Sequence, residues 1–267
     1  MARLPCPAGA TMLSVCGHEN CAGSWDRCIE HGRLSRIISS VPSRRIFTVI
    51  PAFNEATVIR SVLADLRMSY PDAVVVDDCS TDTTGVEASA AGATVLRHVV
   101  NLGAGAALQT GITYALQQGA DLIVTFDADG QHAVGDIAVL LDVQARTGAD
   151  IVAGSRFLGK TVGLPPARRL LLKAAVLFTR YTSGQNVTDA HNGLRLLTRK
   201  AASKIRITQN RMSHASELVD QIGPLGLCMV EAPVTILYTE YSLAKGQRLS
   251  NSISILVELL LARLSRS

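Results

Sequence analysis

From Ile46 onward, short continuous apolar runs alternate with segments whose apolar residues recur at helical spacing. Strands buried on both faces have such continuous runs, because neither face meets water. The predicted strands are 46–50, 73–76, 93–96, 121–126 and 150–153, and the predicted helices lie near 58–66, 105–118 and 136–146. Strands joined by helices in this way predict an α/β fold, a mostly parallel sheet with helices on both faces.

Composition restricts the class of protein further. With 48% hydrophobic and 18% charged residues, the chain does not match a disordered or collagen-like protein. The net charge of +4 is small and evenly spread, so we expect no nucleic-acid partner. The best candidate for a membrane-spanning helix, 253–264, is too short and contains Glu258 and Arg263. Because the first residues also lack a secretory signal pattern, we expect a cytoplasmic location.

The two ends of the chain differ from its centre. Residues 1–44 have no sustained periodicity and are interpreted as a flexible extension ahead of a main domain at 45–241. Four zinc ligands could be supplied by Cys16, His18, Cys21, Cys28 and His31. Zinc is the less favoured alternative, since the spacing lacks two close pairs separated by a finger-length loop. Residues 242–267 are interpreted as a C-terminal helical segment suited to a membrane surface.

Polar clusters follow three of the predicted strands. They are Asn54-Glu55, Asp77-Asp78 and Asp127-x-Asp129. In parallel α/β sheets, ligands bind at the carboxyl ends of the strands. The coincidence of all three clusters with such ends is the strongest functional signal in the sequence, and it predicts one binding site at this edge of the sheet.

Asp127 and Asp129 have the spacing of a site for a hard cation. Both carboxylates can converge on one ion, with Gln131 or His132 close behind. Oxygen ligands favour Mg²⁺ or Mn²⁺ over zinc or copper, and the open coordination positions suit a diphosphate. The alternative interpretation is a solvated acidic turn.

Asp77 and Asp78 would repel each other unless a donor or a cation used their carboxylates. A nucleoside offers such donors in a base N–H and the ribose hydroxyls. The alternative is that one of the pair caps the following turn. For Asn54 and Glu55, a helix cap with favourable charge at the helix N-terminus is as good an interpretation as a ligand contact.

The segment 101–105 is a glycine turn at a predicted helix N-terminus, where the amides of Gly103 and Gly105 could face a phosphate. The turn does not follow the first strand and lacks the full dinucleotide fingerprint. The chain also has no phosphate loop of the Gly-Lys-Ser/Thr type. Kinase-like and NAD-dependent functions therefore lose their main support.

Five motifs stand in order between about Arg45 and about Tyr241. They are Pro51-Ala52-Phe53-Asn54-Glu55, Asp77-Asp78-Cys79-Ser80-Thr81-Asp82, Asn101-x-Gly103-x-Gly105, Asp127-Ala128-Asp129-Gly130-Gln131-His132 and Gly154-Ser155-Arg156. This set resembles family 2 glycosyltransferases, most closely the branch of dolichyl- and polyprenyl-phosphate sugar synthases. The resemblance implies a GT-A fold, a nucleotide diphosphate sugar as donor, and inversion at the anomeric carbon.

The resemblance also implies roles for single residues. The nucleotide sugar would be bound by Pro51, Ala52, Asn54, Glu55, Asp77, Asp78, Gly103, Gly105 and Asp127. The metal, Mg²⁺ or Mn²⁺, would be held by Asp127, Asp129 and Gln131. The catalytic residues would be Asp127, Asp129 and Arg156, of which Arg156 would face phosphate. The chain departs from the family in Ala104, where many relatives carry a basic residue, and in lacking the C-terminal transmembrane helices of some relatives.

Arg168 and Arg169 lead into an apolar helix that is also edged by Lys173 and Arg180. Such a helix can lie in the interface of an anionic membrane, and a core helix with snorkelling cations fits equally well. On a membrane, either arginine could bind a lipid phosphate through paired N–H donors. Asp189 and Arg195 belong to an Asp-x-x-x-Gly-x-Arg segment that also occurs in the lipid-phosphate branch, which adds them to the predicted acceptor site.

The acceptor decides whether a general base is needed. A sugar hydroxyl must lose a proton during attack, whereas a phosphate monoester is already largely ionised at neutral pH. Asp189 and Glu217 are the base candidates, although a turn contact and a helix-face carboxylate explain them as well. We predict transfer to polyprenyl phosphate at the cytoplasmic face of the membrane. The alternatives are transfer to a glycan hydroxyl and a nucleotide-sugar-binding protein without turnover.

Overall fold

A computed structural model describes residues 44–210, 213–239 and 241–242. The zinc-ligand candidates of the predicted extension and the C-terminal segment beyond Ser242 lie outside these residues. The strands are β1 (Ile46–Ala52), β2 (Ala73–Asp77), β3 (Thr94–Arg97), β4 (Leu122–Thr125), β5 (Ile151–Val162), β6 (Arg195–Thr198) and β7 (Met229–Leu237). The helices are α1 (Ile59–Arg67), α2 (Thr84–Ala90), α3 (Ala104–Gln117), α4 (Gly135–Thr147), α5 (Pro166–Ser183), α6 (Arg199–Lys204) and α7 (His214–Ile222).

The strands form one sheet in the order β3-β2-β1-β4-β6-β5-β7. The first four strands of this order pair in parallel, and β7 pairs in parallel with β5. β6 runs antiparallel to both of its neighbours, β4 and β5. The predicted mostly parallel sheet is therefore confirmed.

Helices cover both faces of the sheet. On one face, Leu63 of α1 and Ile137 of α4 pack with Ile50 of β1 in a buried apolar cluster. On the other face, Ile112 of α3 packs in a second cluster that contains Val49 of β1 and residues of α6 and α7. Neighbouring residues of β1 thus point into different cores, which explains why its sequence is a continuous apolar run.

β5 is longer than its sequence pattern predicted. Residues 151–156 are buried, and the remainder of the 12-residue strand alternates between half-buried and exposed positions. Its pairing with β7 is irregular between Ser155 and Lys160, and Pro233 lies opposite Ser155. A proline cannot donate to a ladder and is tolerated at such an irregularity. The predicted strand 150–153 was therefore too short, and β6 and β7 were not predicted at all.

α5 follows β5 after a turn at Gly163 and begins with Pro166, whose fixed φ suits the first helical position. Several large apolar side chains of this helix are exposed to solvent: Leu170 is 72% exposed, Leu177 65% and Tyr181 89%. Within the part of the chain that the structure describes, no helix combines the length and the apolar character needed to cross a bilayer.

Candidate functional site

The loops after β1 and β2 are fastened to each other. Asn54 adopts the left-handed conformation with φ 56°, which asparagine tolerates better than most residues. Its amide N–H donates to Oγ of Ser80 at 3.0 Å, and its side-chain oxygen accepts from the amide of Thr81 at 2.8 Å. The backbone of Ala52 accepts from the amide of Asp78 at 2.9 Å. These bonds give both strand ends one fixed shape.

Asp78 organises the glycine turn ahead of α3. Its carboxylate accepts from the amides of Leu102 at 2.9 Å and Gly103 at 2.6 Å, and contacts a ring nitrogen of His98 at 2.7 Å. Gly103 has φ 96°, a conformation that favours glycine. The amide of Gly105 donates to the carbonyl of Asn210 at 2.9 Å. The amides predicted to face a phosphate are therefore engaged inside the protein.

Asp77 is buried, with no exposed surface. One of its oxygens accepts from the amide of Ser80 at 2.9 Å, and the other lies 3.3 Å from the guanidinium of Arg97. A Cβ atom on Gly85 would lie 2.8 Å from this second oxygen. The carboxylate of Asp77 thus holds the turn after β2, as the alternative interpretation of this pair expected for one member.

Glu55 connects the first strand end to the last described residues. It is 8% exposed, and its Oε2 accepts from the hydroxyl of Tyr241 at 2.8 Å. Burial, followed by the hydrogen bond to Glu55, raises the pKa of Tyr241 to about 12, so the phenol keeps its proton. Its neighbour in the predicted site, Pro51, is half-buried in β1. The carboxylate of Glu55 therefore lies at the sheet edge where the nucleoside was predicted.

Asp127 lies at the end of β4 with its side chain 43% exposed. Its Oδ2 is 2.9 Å from Nε2 of the buried His132. Partial desolvation opposes ionisation of Asp127, but the hydrogen bond and charge of His132 outweigh it, helped by His214 and Arg195, so the pKa of Asp127 lies below its ordinary value. Asp127 is therefore ionised at neutral pH and available to a cation.

Asp129 has the opposite behaviour. Burial, followed by the charge of the nearby Asp127, raises its pKa to about 6, although the amide of Gln131 donates to its Oδ1 at 3.0 Å. A divalent cation near Asp127 and Asp129 would offset the repulsion that raises the pKa of Asp129. Within the described ranges, no cluster of three His, Cys, Asp or Glu side chains has the arrangement of a metal site. Two carboxylates alone suit Mg²⁺ or Mn²⁺ only where water or phosphate oxygens fill the remaining coordination positions.

Gly193 supplies a cradle for the Asp127 carboxylate. A Cβ atom at this position would overlap both oxygens of Asp127, so only glycine leaves the carboxylate its place. The carbonyl of Gly193 also accepts from the hydroxyl of Thr125 at 2.6 Å. The loop ahead of β6 is thereby packed against the end of β4.

Arg156 is buried, with 9% of its surface exposed. Its Nε donates to Oδ2 of Asp189 at 2.6 Å, and its other nitrogens donate to the hydroxyl of Tyr238 at 2.7 Å and the carbonyl of His191 at 2.9 Å. Burial disfavours the charged form, but Asp189 more than offsets it, so the pKa of Arg156 lies above its ordinary value. Arg156, which was predicted to face phosphate, holds the loop around Asp189 in this structure.

The other predicted residues of this loop are also interior. Arg195 is 5% exposed and donates to the carbonyl of Ala190 at 2.8 Å, and burial lowers its pKa despite the carboxylates of Asp189 and Asp127. Glu231 accepts from the amides of Thr188 at 2.8 Å and of Asp189 at 3.0 Å. The loop is thus held by the buried Arg195 and by the half-buried Glu231.

Glu217 lies on α7 and is 8% exposed. Its carboxylate accepts from the amides of Thr208 at 3.0 Å and Gln209 at 2.9 Å, and from the hydroxyl of Thr208. These three donors hold the segment whose next residue, Asn210, accepts from Gly105. Both base candidates of the sequence, Asp189 and Glu217, are therefore engaged with partners inside the chain.

Arg168 and Arg169 differ although they are neighbours in the first turn of α5. Arg168 is half-buried, and its guanidinium carbon lies 5.3 Å from the ring centroid of Tyr238. Arg169 is exposed. The structure therefore distinguishes two residues that the sequence treated as equivalent.

Sequence reasoning missed residues whose partners are distant along the chain. His98 contacts Asp78, Tyr238 binds Arg156, and Tyr241 binds Glu55 across 186 positions. None of them belongs to a motif of the sequence. The one local signal was the Asp-x-x-x-Gly-x-Arg spacing, which contains Gly193 and was noted without its steric role.

The chain is similar to known proteins over most of its length. The family model described as Glycosyl transferase family 2 matches residues 48–206. The UDP-N-acetylglucosamine--dolichyl-phosphate N-acetylglucosaminyltransferase of Methanococcus voltae is 30% identical over 243 residues, covering 83% of this chain and 97% of the relative. The undecaprenyl-phosphate mannosyltransferase of Micrococcus luteus is 33% identical over 213 residues, covering 75% of this chain and 87% of the relative.

A solved structure with a similar fold is glucosyl-3-phosphoglycerate synthase from Mycobacterium tuberculosis, in complex with Mn²⁺ and uridine-diphosphate-glucose. The TM-score is 0.65 at 20% identity, and the match covers 85% of this chain and 82% of that chain. The likeness is one of fold, and it confirms the GT-A fold that the ordered motifs implied.

Proposed function

Because this chain belongs to glycosyl transferase family 2, we propose that it transfers a sugar from a nucleotide diphosphate sugar to polyprenyl phosphate. The acceptor phosphate attacks the anomeric carbon from the face opposite the leaving diphosphate, which inverts the configuration. The names of both relatives, one for dolichyl phosphate and one for undecaprenyl phosphate, support this class of acceptor.

The observation that carries the proposal is the engagement of both base candidates. The carboxylate of Asp189 is paired with Arg156 at 2.6 Å, and that of Glu217 accepts from the amides of Thr208 and Gln209. A glycan hydroxyl must give up its proton to such a base, whereas a phosphate monoester arrives ionised. An acceptor that needs no base therefore fits this site better than a hydroxyl.

The donor is assigned to the carboxyl ends of β1, β2 and β4. Glu55 lies at this edge, and Asp78 fixes the turn between β3 and α3 through the amides of Leu102 and Gly103. In α/β sheets this edge is where nucleotides bind. We assign the nucleoside to the neighbourhood of Glu55, with Asp77 and Asp78 shaping the pocket from behind.

Asp127 and Asp129 are assigned to Mg²⁺ or Mn²⁺, with Gln131 beside them. When bound, a divalent cation offsets the negative charge that develops on the leaving diphosphate. His132 orients the Asp127 carboxylate through its Nε2, and Gly193 keeps the space behind that carboxylate clear of a side chain. These two residues fix the position from which the Asp127 carboxylate can bind the cation.

We propose a peripheral position at the cytoplasmic face of the membrane. The exposed apolar side chains of α5 are accompanied by Leu158 and Val162 of β5, which are 51% and 56% exposed. Lys173 and Arg169 are exposed on the same helix. Apolar side chains edged by cations favour the interface of an anionic bilayer.

The test is a transfer assay with a panel of UDP- and GDP-sugars, undecaprenyl phosphate and either Mg²⁺ or Mn²⁺. We expect one donor class to yield a lipid-linked sugar phosphate whose anomeric configuration, read by NMR, is opposite to that of the donor. Chelation of the metal should abolish the product. Donor binding without product for any acceptor would instead indicate a nucleotide-sugar-binding protein.

A further inference from the structure

We infer that Tyr238 is a positioning residue that holds the guanidinium of Arg168 at the acceptor phosphate, beside the metal-binding loop. The inference rests on the proposed function and deepens it, since it names which arginine of α5 binds the phosphate and what fixes it there. It follows from a chain of contacts that joins α5, β5, β7 and the Asp127 loop.

Tyr238 is held from two sides. It is 8% exposed, its hydroxyl accepts from Arg156 at 2.7 Å, and its amide donates to the carbonyl of Val162 at 2.9 Å. Arg156 is itself fixed by Asp189 at 2.6 Å. The ring of Tyr238 is therefore a rigid surface, and the guanidinium carbon of Arg168 lies 5.3 Å from its centroid.

The backbone around Tyr238 lies against the metal-binding loop. The amide of Leu237 donates to the carbonyl of Gln131 at 3.0 Å, and Ile236 forms a bridge with His132. His132 in turn contacts the Asp127 carboxylate at 2.9 Å. A phosphate bound by Arg168 would therefore lie on the side of the site where the donor diphosphate is assigned.

The turn between β5 and α5 explains why Arg168 and not Arg169 takes this place. Gly163 has φ 76°, and a Cβ atom there would lie 2.8 Å from the carbonyl of Tyr238. This close approach brings the first turn of α5 against Tyr238. One position further along a helix, a side chain points about 100° away, so Arg169 is exposed and has no such support.

An arginine stacked on an aromatic ring keeps its N–H fork free for a phosphate. Losing the guanidinium should raise the acceptor KM about tenfold, since a charged hydrogen bond is lost. Losing the ring should raise it about fivefold, the value of one cation–π contact. Losing only the Tyr238 hydroxyl should lower the melting temperature and leave the acceptor KM within about twofold.

The experiment compares Arg168→Ala, Arg169→Ala, Tyr238→Leu and Tyr238→Phe in the full chain. Binding is measured to phosphatidylcholine vesicles containing undecaprenyl phosphate, and to vesicles of equal charge containing phosphatidylglycerol. Transfer kinetics give the KM for undecaprenyl phosphate and for the donor. We expect R168A and Y238L to bind the vesicles with undecaprenyl phosphate more weakly and to have a higher acceptor KM. R169A should weaken binding to both kinds of vesicle equally. The donor KM should stay unchanged in all variants.

The outcomes separate the inference from the proposed function. Normal acceptor kinetics for Y238L together with impaired R168A would overturn the role of Tyr238 and leave Arg168 in place. Normal kinetics for both would overturn the inference as a whole. No transfer to undecaprenyl phosphate by the wild type would overturn the proposed function itself. If Y238L does not fold, R168K is compared with R169K instead. Lysine keeps the charge but loses the stacking on the ring, so only R168K should have a higher acceptor KM. Equal acceptor kinetics for the two variants would contradict the inference.

Discussion

Charge is used differently in residues 45–132, the region to which we assign the donor, and in residues 150–242, the region to which we assign the acceptor. In the donor region, the carboxylate of Asp78 accepts hydrogen bonds from the amides of Leu102 and Gly103 and contacts a ring nitrogen of His98. In the acceptor region, buried Arg156 is paired with buried Asp189. The hydrogen bonds to Asp78 shape a loop and contribute modestly to the free energy of folding. The Arg156–Asp189 pair places two full charges in the interior, where each charge is tolerated only because the other is present.

Both arrangements depend on residues that meet only in the fold. Asp78 and Gly103 are 25 positions apart, and Arg156 and Asp189 are 33 apart. Each of these residues stands in a motif of the sequence, but no spacing in the sequence indicated which of them would bind each other.

The largest effect is expected at Asp127 and Asp129, the metal ligands that we propose for the donor region. Asp127→Asn or Asp129→Asn should reduce transfer about 10³-fold at saturating Mg²⁺ or Mn²⁺, because each removes an anionic ligand. Urea unfolding should show a change of no more than about 1 kcal/mol. Asp142→Asn, at an exposed ion pair with Arg146 on α4, is the matched control and should alter neither quantity. Turnover near the wild-type rate would disprove the metal assignment.

The next effect concerns stability in the acceptor region. Arg156→Met leaves Asp189 as an uncompensated buried charge and should lower the free energy of unfolding by about 3–5 kcal/mol. Asp78→Asn, its counterpart in the donor region, removes charge from bonds to amides and should cost about 1–3 kcal/mol. Urea unfolding curves measure both. Equal losses in the two variants would mean that the regions do not use charge differently.

Gly193 is where the two regions meet. Gly193→Ala places a methyl group on the Asp127 carboxylate, so one of them must move, and transfer should fall about 10²-fold. Gly135→Ala on α4 is the matched control, because no atom lies within 4 Å of the added Cβ. If both variants kept full activity, the cradle would have no role in placing Asp127.

The smallest effect is a pH dependence of metal binding. The pKa of Asp129 is raised to about 6, so below that value a metal ion must displace a proton from it. The affinity for Mn²⁺, measured by calorimetry without donor, should therefore fall up to about tenfold per pH unit below pH 6 and level off above it. Asp127, whose pKa is lowered, should add nothing in this range. An affinity that does not change between about pH 5 and 7 would contradict the coupling of the two carboxylates.

The sequence predicted the donor region well because its strands are local and buried on both faces. The predicted strands 46–50, 73–76 and 93–96 lie within one or two residues of β1, β2 and β3. The positions of Asp127 and Asp129 at a strand end were also foreseen. Continuous apolar runs and turn residues are local sequence signals that predict a parallel sheet.

The acceptor region could not be read in the same way. β6 is four residues long and antiparallel, the outer part of β5 alternates in exposure, and Pro233 interrupts the pattern of β7. The role of Tyr238 depends on Arg156 and Arg168, which come from two other elements. Such contacts are set by tertiary packing, and no local spacing in the sequence carries them.

In the reaction that we propose, the acceptor is a phosphate and needs no base from the protein. The most direct measurement compares undecaprenyl phosphate with undecaprenol, the same lipid ending in a hydroxyl, in one transfer assay with the active donor. We expect transfer to the phosphate and none to the alcohol, with wild-type rates kept by a folded Glu217→Gln variant. Transfer to the alcohol or to a soluble glycan, lost in Glu217→Gln, would contradict it.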